Sequence, residues 1–352
     1  MYSSAELTIS IIVPVYNGGA NFRRCLVSLL EALPPPTEII VVADGDTDGS
    51  GELAKEFGAQ VLRFPSPGGP GRARNLGARA AESDLLFFVD ADVTIPPDAV
   101  GQVVTVFKRD PYLAALFGSY DDEPGETNFL SQYRNLLHHY VHQTGGEDAS
   151  TFWGACGAIR RDVFLAMGGF VEHYYKPSIE DIELGCRLRR AGHRIRLCKS
   201  LQIKHWKRWE VVAMLKADFF QRALPWTELI LSDRNFINDL NTGMSGRLSV
   251  ILTFGLLSSL ALTSWHSQVW AVAGLMALLL LTLNAPLYRF FIKKRGLRFA
   301  LQAIPWHWLY FFYSGLAFAI GTTRHMLSHG RDQGRPASLV SLERPHSGSR
   351  SE

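Results

Sequence analysis

A chain of 352 residues, 47% hydrophobic and 20% charged, has material for one large or two medium domains with a sizeable core. Its net charge of +3 is too small to mark a nucleic-acid partner. The four cysteines, Cys25, Cys156, Cys186 and Cys198, show neither CxxC spacing nor companion histidines at zinc-site intervals, so they read as reduced, packed thiols of a cytosolic domain rather than a disulfide framework.

The amino terminus, MYSSAELTIS, does not run from a basic segment into a long apolar one, and no cleavable signal peptide is expected. Ile9 to Pro14 is a β-branched run, and Val15 to Gly19 supply turn chemistry before a helical pattern from Asn21 to Leu33. Pro34 to Pro36 end that helix, and Glu38 to Val42 form the next buried strand, closing on ADGDTDGS. The alternating Asp44, Asp46 and Asp48 resemble an EF-hand loop only superficially, since the glutamate at the twelfth loop position is missing and a strand flanks them. Capping of a helix over Gly51 to Phe57 accounts for Asp48 as well as any ligand does.

A strand from Ala59 to Phe64 leads into a Gly/Pro loop, and Arg72, Arg74 and Asn75 open a helix running to about Ala81. Arginines at a helix start oppose the macrodipole unless an anion lies nearby, which suits a phosphate-facing loop and equally a solvated surface. Leu85 to Val93, LLFFVDADV, organises the chain: a strand buried on both faces ends on Asp90 and Asp92, which alternation puts on one side. A hard divalent cation could be held there through one or two oxygens, the rest of its shell being water and substrate phosphates. A strand followed by an Asx-type turn before Pro96 and Pro97 explains the same letters. Repeated strand and helix imply an α/β domain with a mostly parallel sheet and its ligand loops at the carboxyl ends of the strands.

Further on, a helix is expected over Gln102 to Lys108, a strand over Ala114 to Tyr120 and a helix over Asn128 to Gln143. That last helix carries His138, His139 and His142, which read as polar surface in preference to a metal site. Phe152 to Arg161 sets small residues beside Trp153, as close approach of backbone to a ligand would require. Ser178 to Gly192 reads as a helix capped by Ser178, with Glu180, Asp181 and Glu183 in its first turn and Arg187, Arg189 and Arg190 in its last. Macrodipole matching by itself explains most of those charges. A strand from Ile195 to Lys204 then enters KHWKRW, where cations interleave with His205, Trp206 and Trp209.

Val211 to Leu231 mixes aromatics with Lys216, Asp218 and Arg222, is broken by Pro225, and reads as amphipathic helices lying on a bilayer. Leu248 to Trp265, Val269 to Tyr288 and Ala300 to Gly321 carry no charge, and each approaches the roughly 20 residues of a membrane span. Lys293, Lys294, Arg295 and Arg298 follow the second, so the positive-inside rule puts that link, and the catalytic half with it, in the cytoplasm. The expected layout is a catalytic domain at 1–210, interface helices at 211–246, about three transmembrane helices at 247–323 and a disordered tail at 324–352. Such a protein is a multi-pass resident of the inner or plasma membrane.

Taken together and in order, these stretches resemble the family-2 glycosyltransferases and their nucleotide-sugar-binding GT-A fold. The likeness covers about the first 210 positions: VPVYN (13–17), ADGDTDGS, GRARNLGA (71–78), the DAD motif, GACGAIRR (154–161), the pair Glu180 and Asp181, and a final element similar to Q/RxxRW. Ala43 and Asp46 depart from the usual DDGS loop, and His205 stands where processive synthases carry Gln or Arg. The resemblance implies that Pro14, Tyr16 and Asp44 line the base and ribose, that Arg74, Trp153, Gly154, His205, Arg208 and Trp209 help bind the nucleotide sugar, and that Asp90 and Asp92 hold Mg²⁺ or Mn²⁺. Asp181 is the implied base, with Glu180 beside it. A UDP- or GDP-sugar donor, inversion at the anomeric carbon and a lipid or lipid-linked acceptor at the cytoplasmic membrane face follow. A polysaccharide synthase and a non-catalytic membrane-anchored nucleotide-sugar-binding module are the alternatives.

Overall fold

The computed structural model describes residues 6–232 and 243–332. Parts of the expected interface segment (233–242) and of the expected tail (333–352) lie outside those residues. The first half alternates strand and helix as the buried runs and turn residues demand: β1 (Ile9–Val15), α1 (Gly19–Leu30), β2 (Glu38–Asp44), α2 (Ser50–Glu56), β3 (Gln60–Phe64), α3 (Pro70–Ala80) and β4 (Leu85–Val89). Every residue of β4 is buried, because helices cover both of its faces. On one face Phe87 joins Phe22, Leu26 and Phe107; on the other Phe88 packs its ring against Phe152, Phe164 and Phe170. Phe88→Ala is expected to cost about 3–5 kcal/mol of stability, the usual range for deleting a fully buried ring, measurable by chemical denaturation.

Next come β5 (Val93–Thr94), α4 (Ala99–Arg109), β6 (Leu113–Tyr120), α5 (Phe129–Thr144), β7 (Asp148–Ala149), β8 (Cys156–Arg160), α6 (Arg161–Ala166), α7 (Glu180–Arg190) and β9 (Arg194–His205). Their arrangement corrects the expectation of a mostly parallel sheet. The strand order is β3-β2-β1-β4-β8-β6-β9-β5, and β8 runs antiparallel to both of its neighbours, as do β5 and β7 to β9. The sheet is therefore mixed. Reached through α5 and a return loop rather than a full crossover, β8 enters from the end where β4 and β6 finish, so it can only run back between them.

Ser178 is not the cap of α7: Ile179 precedes the helix, and the Ser178 hydroxyl donates to the Gln221 carbonyl instead. In the other acidic loop, Asp48 accepts from the Ser50 N–H and hydroxyl and Asp46 accepts from the Gly51 N–H, so both carboxylates serve the amino end of α2.

Past β9 the described residues are mostly helical. α8 (Val211–Lys216), a π-helical turn (Ala217–Ala223) and α9 (Leu224–Ser232) precede α10 (Met244–Leu262), α11 (Val269–Leu283) and α12 (Ala285–Asp332), the last bent at Gly296, whose φ is 84°. Among the described residues one helix, α10, is long and apolar enough to cross a membrane, while α11 and α12 pass that test only as a pair bent by 62°. The apolar run Val269 to Tyr288 thus breaks at Asn284, whose side-chain amide donates to Ser249 on α10 and to the Leu280 carbonyl. Ile251, Trp265, Trp270, Leu275 and Leu278 stand exposed on α10, α11 and the link between them. Lys294 pairs with Asp122 and Arg295 donates to Gln132 and the Asp122 carbonyl, so the basic link docks on the first half of the chain.

Candidate active site

At the carboxyl edge of β1, β2 and β4 opens a cavity of about 2060 Å³ that continues between the carboxy-terminal helices. Pro14, Tyr16, Asp44, Arg74, Asp90, Asp92, Trp153, Asp181, His205, Arg208 and Trp209 all contribute to its wall. Sequence positions far apart thereby meet, because strand ends in an α/β sheet converge on one edge.

Arg74 joins two of the motifs. Only 4% exposed, it donates from Nη2 to Asp90 at 2.6 Å and from Nη1 to Glu180 at 3.1 Å. That pairing satisfies the positive charge at the start of α3 without any ligand. A Cβ at Gly154 would come within 3.1 Å of the Arg74 guanidinium, tighter than most Cβ contacts, so glycine suits this close approach. Arg72 lies instead over the Phe64 ring, 3.7 Å from its centre. Asp44 is buried too, and its carboxylate accepts from the Gly68 and Gly69 N–H groups, pinning the Gly/Pro loop over the cavity.

The two acidic residues of α7 differ in what they face. Glu180 is 4% exposed, with one oxygen on Arg74 and the other accepting from the Ser178 N–H, and it is absent from the cavity wall. Asp181 is on the wall, its oxygens accepting from the Gly154 and Ile182 N–H groups. Burial, reinforced by the negative charge of Glu180, pushes the Asp181 carboxyl up to about 7.

Asp90 and Asp92 sit at the tip of β4. Burial raises Asp90 above the usual carboxylate range, with Arg74 opposing. Burial works against the charged form of Asp92 as well, but His205 and Lys207 outweigh it and hold that carboxyl at about 2. His205 Nε2 lies 3.6 Å from Asp92 Oδ2, and its ring stacks on Tyr120 at 4.4 Å. Among the described residues no three His, Cys, Asp or Glu side chains are grouped to hold a metal ion unaided. Two hard carboxylates with a neighbouring imidazole nevertheless fit a Mg²⁺ or Mn²⁺ that completes its shell with water and phosphate oxygens.

Arg208 is exposed, paired with Glu126 and Glu210, whereas Trp209 is buried under Arg134 and Lys207. Tyr16 stands 58% exposed at the rim. The α5 histidines are not surface: His139 and His142 are buried, their Nδ1 atoms on the Tyr120 and Gly118 carbonyls, and His138 and His142 pack against Trp153. Sequence reading missed Tyr120 and this aromatic wall. A signal was present, since Tyr120 closes a strand directly before an acidic loop.

Residues 10–168 match the family described as Glycosyl transferase family 2. The Escherichia coli (strain K12) protein named Uncharacterized glycosyltransferase YibD is 35% identical over 106 residues, which is 29% of this chain and 31% of that one. In GlyA and GlyG of Streptococcus pneumoniae the aligned part is 15% and 30% of the relative, so the chain spans less than a third of the length of these relatives. The O-antigen chain rhamnosyltransferase WbaN of Salmonella anatum is 25% identical over 63% of this chain and 74% of its own. Among solved structures, the mannosyltransferase PcManGT of Pyrobaculum calidifontis, in complex with GDP-Man and Mn²⁺, superposes with a TM-score of 0.51 at 16% identity, covering 90% of this chain and 88% of that one. That likeness shows the GT-A-like fold.

Proposed function

We propose that the chain, built around a Glycosyl transferase family 2 domain at residues 10–168, is an inverting glycosyltransferase that moves a sugar from a nucleotide sugar to a lipid-linked acceptor at the cytoplasmic face of a membrane. One observation carries this reading: a single cavity joins the DAD tip and Asp181 to the space between α9, α10 and α12. A donor and a membrane-borne acceptor can meet there without either leaving its own environment. The solved mannosyltransferase is in complex with GDP-Man and Mn²⁺, and WbaN is named an O-antigen chain rhamnosyltransferase, which supports sugar transfer as the chemistry.

In this mechanism Pro14, Tyr16 and Asp44 receive the nucleoside, and Asp90 and Asp92 are the residues that would hold Mg²⁺ or Mn²⁺. A bound divalent ion would neutralise the charge that builds on the departing nucleoside diphosphate. Lys207, also on the cavity wall and close enough to act on Asp92, adds positive potential to the same region. Asp181 takes the proton of the acceptor hydroxyl as its oxygen bonds to the anomeric carbon and the carbon–oxygen bond to the phosphate breaks. Attack from the side opposite the leaving group inverts that carbon. Arg74, itself held by Glu180, keeps Asp90 in place, and the Gly154 and Ile182 N–H groups hold Asp181.

A base held near 7 gives the reaction a pH signature. Its active form is deprotonated, so kcat/KM is expected to fall about tenfold per pH unit below 7 and to level off above it. A profile flat between pH 5 and 8 would count against Asp181. The donor is identified by screening UDP-, GDP- and dTDP-sugars for nucleoside diphosphate release by the purified full chain, with and without lipid extract. Release is expected to require a divalent ion and to rise when lipid is added; equal rates with and without lipid would overturn the acceptor assignment. The exposed apolar faces of α10 and α11 lead to one more expected result, that the chain stays with membranes through an alkaline carbonate wash. Its recovery in the supernatant would remove the membrane from this reading.

A further inference from the structure

Besides the catalytic residues, the cavity wall carries two further groups of side chains. One is a cluster of charges at the junction of α5, the π-helical turn and α12. Asp218 Oδ2 accepts from Arg134 Nη1 and from the Tyr313 hydroxyl, each at 2.6 Å, and its Oδ1 accepts from Arg222 Nη1 at 3.3 Å. The wall also carries a group of apolar side chains from the carboxy-terminal helices, Trp226, Val250, Phe254, Phe311 and Phe318.

The charge cluster does not balance. Among the described residues that compose it, two guanidinium groups meet one carboxylate, and a purely structural pairing would have needed only one of them. The Arg134 guanidinium carbon also lies over the Trp209 ring, 4.8 Å from its centre, a cation–π contact that helps hold it in place. A second observation is independent of charge. Tyr133, next to Arg134 on α5 and also on the cavity wall, is 3% exposed, and its hydroxyl has no hydrogen-bond partner among the described residues. A buried hydroxyl without a partner costs free energy unless something entering the cavity supplies an acceptor. The Ser178–Gln221 hydrogen bond ties the π-helical turn to the residues just before α7, so the cluster adjoins the helix that carries Asp181. π-helical turns are often found at functional sites, where they bring side chains to positions an α-helix would not allow.

Resting on the glycosyltransferase reading above, we infer that Arg134 and Arg222 bind the phosphate of the acceptor, a lipid in which a phosphate joins an apolar tail to a hydroxyl-bearing head. Arginine forks match phosphate oxygens, and the Tyr133 hydroxyl donates to the same group. The tail lies among Trp226, Phe254 and Phe311, and the head reaches toward Asp181. A hydroxyl nucleophile follows from the presence of a base, since a terminal phosphate oxygen is already ionised and has no proton to give up. Polyol phospholipids and sugars carried on isoprenoid diphosphates share this chemistry.

The test uses the full chain in neutral phosphatidylcholine nanodiscs and two pairs of probes: farnesyl phosphate against farnesol, and dihexanoyl phosphatidylglycerol against dihexanoylglycerol. In at least one pair the phosphate-bearing member is expected to bind roughly tenfold or more tightly than its neutral counterpart, the scale of a hydrogen-bonded charge contact. The pair showing the larger gap names the tail class. Arg222→Gln should erase most of that difference, and so should Arg134→Gln. Arg134→Gln uncovers a buried Asp218 and can unfold the protein; Arg222 is more exposed, so its variant keeps the test decisive. Equal binding within both pairs, or a phosphate preference unchanged in Arg222→Gln, overturns the inference. Calorimetry with nucleotide sugars and Mn²⁺ on the same parent preparation separates the two levels. Loss of donor binding refutes the enzyme reading, whereas donor binding combined with phosphate-blind lipid binding refutes only this one.

Discussion

Asp181→Asn is expected to lower sugar transfer by roughly 10²–10⁴-fold, the usual contribution of a positioned general base, while nucleotide-sugar affinity stays near the parental value. The amide fills the same space and can still accept from one of the two N–H groups, Gly154 or Ile182, that the carboxylate now engages. It cannot take a proton from the acceptor. A competing account gives Asp181 only a macrodipole role in the first turn of α7, worth about 0.3–1 kcal/mol, and under it the substitution would barely change the rate. Calorimetry of donor binding and single-turnover transfer distinguish the two. The split outcome supports the base, and near-parental transfer would dismiss it. Glu180 would not inherit the role, because both of its oxygens are committed away from the cavity, to Arg74 and to the Ser178 N–H.

Asp92→Ala should reduce metal-dependent nucleoside diphosphate release by roughly 10²–10³-fold, the cost of losing one preorganised electrostatic contact to developing charge. Asp92 is held ionised by His205 and Lys207 against its burial, so at any working pH it presents a full negative charge to a cation. Its loss is expected to weaken Mn²⁺ binding in the presence of nucleotide, read by electron paramagnetic resonance, without unfolding the domain, since its side chain is not part of the β4 core. Parental activity of this variant in excess EDTA would refute the metal assignment. Asp90→Ala is a less clean probe, because it also releases the buried Arg74.

Much of the active-site edge could be read directly from the letters. Runs such as LLFFV and EIIVV announce buried strands because burial on both faces leaves no alternation, and the turn and charged residues that end them lie within a few positions. Those relations are local, so the expected elements from Ile9 to His205 have observed counterparts, most with boundaries within a few residues. Long-range relations were not legible. The antiparallel insertion of β8 depends on which gap in the sheet is open when the chain returns, and five residues of CGAIR do not encode that. The partners of Arg74, Asp90 and Glu180, lie 16 and 106 positions away, so its bridging of two motifs could not be read from the helix start alone. Asp218 and Arg222 were neighbouring polar letters in an amphipathic stretch, and only the packing of α5 and α12 around them added Arg134 and Tyr313 to the same carboxylate. Hydrophobic pattern and turn chemistry act over a few residues and so survive in the sequence, whereas strand direction and charge pairing are settled by which surfaces meet after collapse.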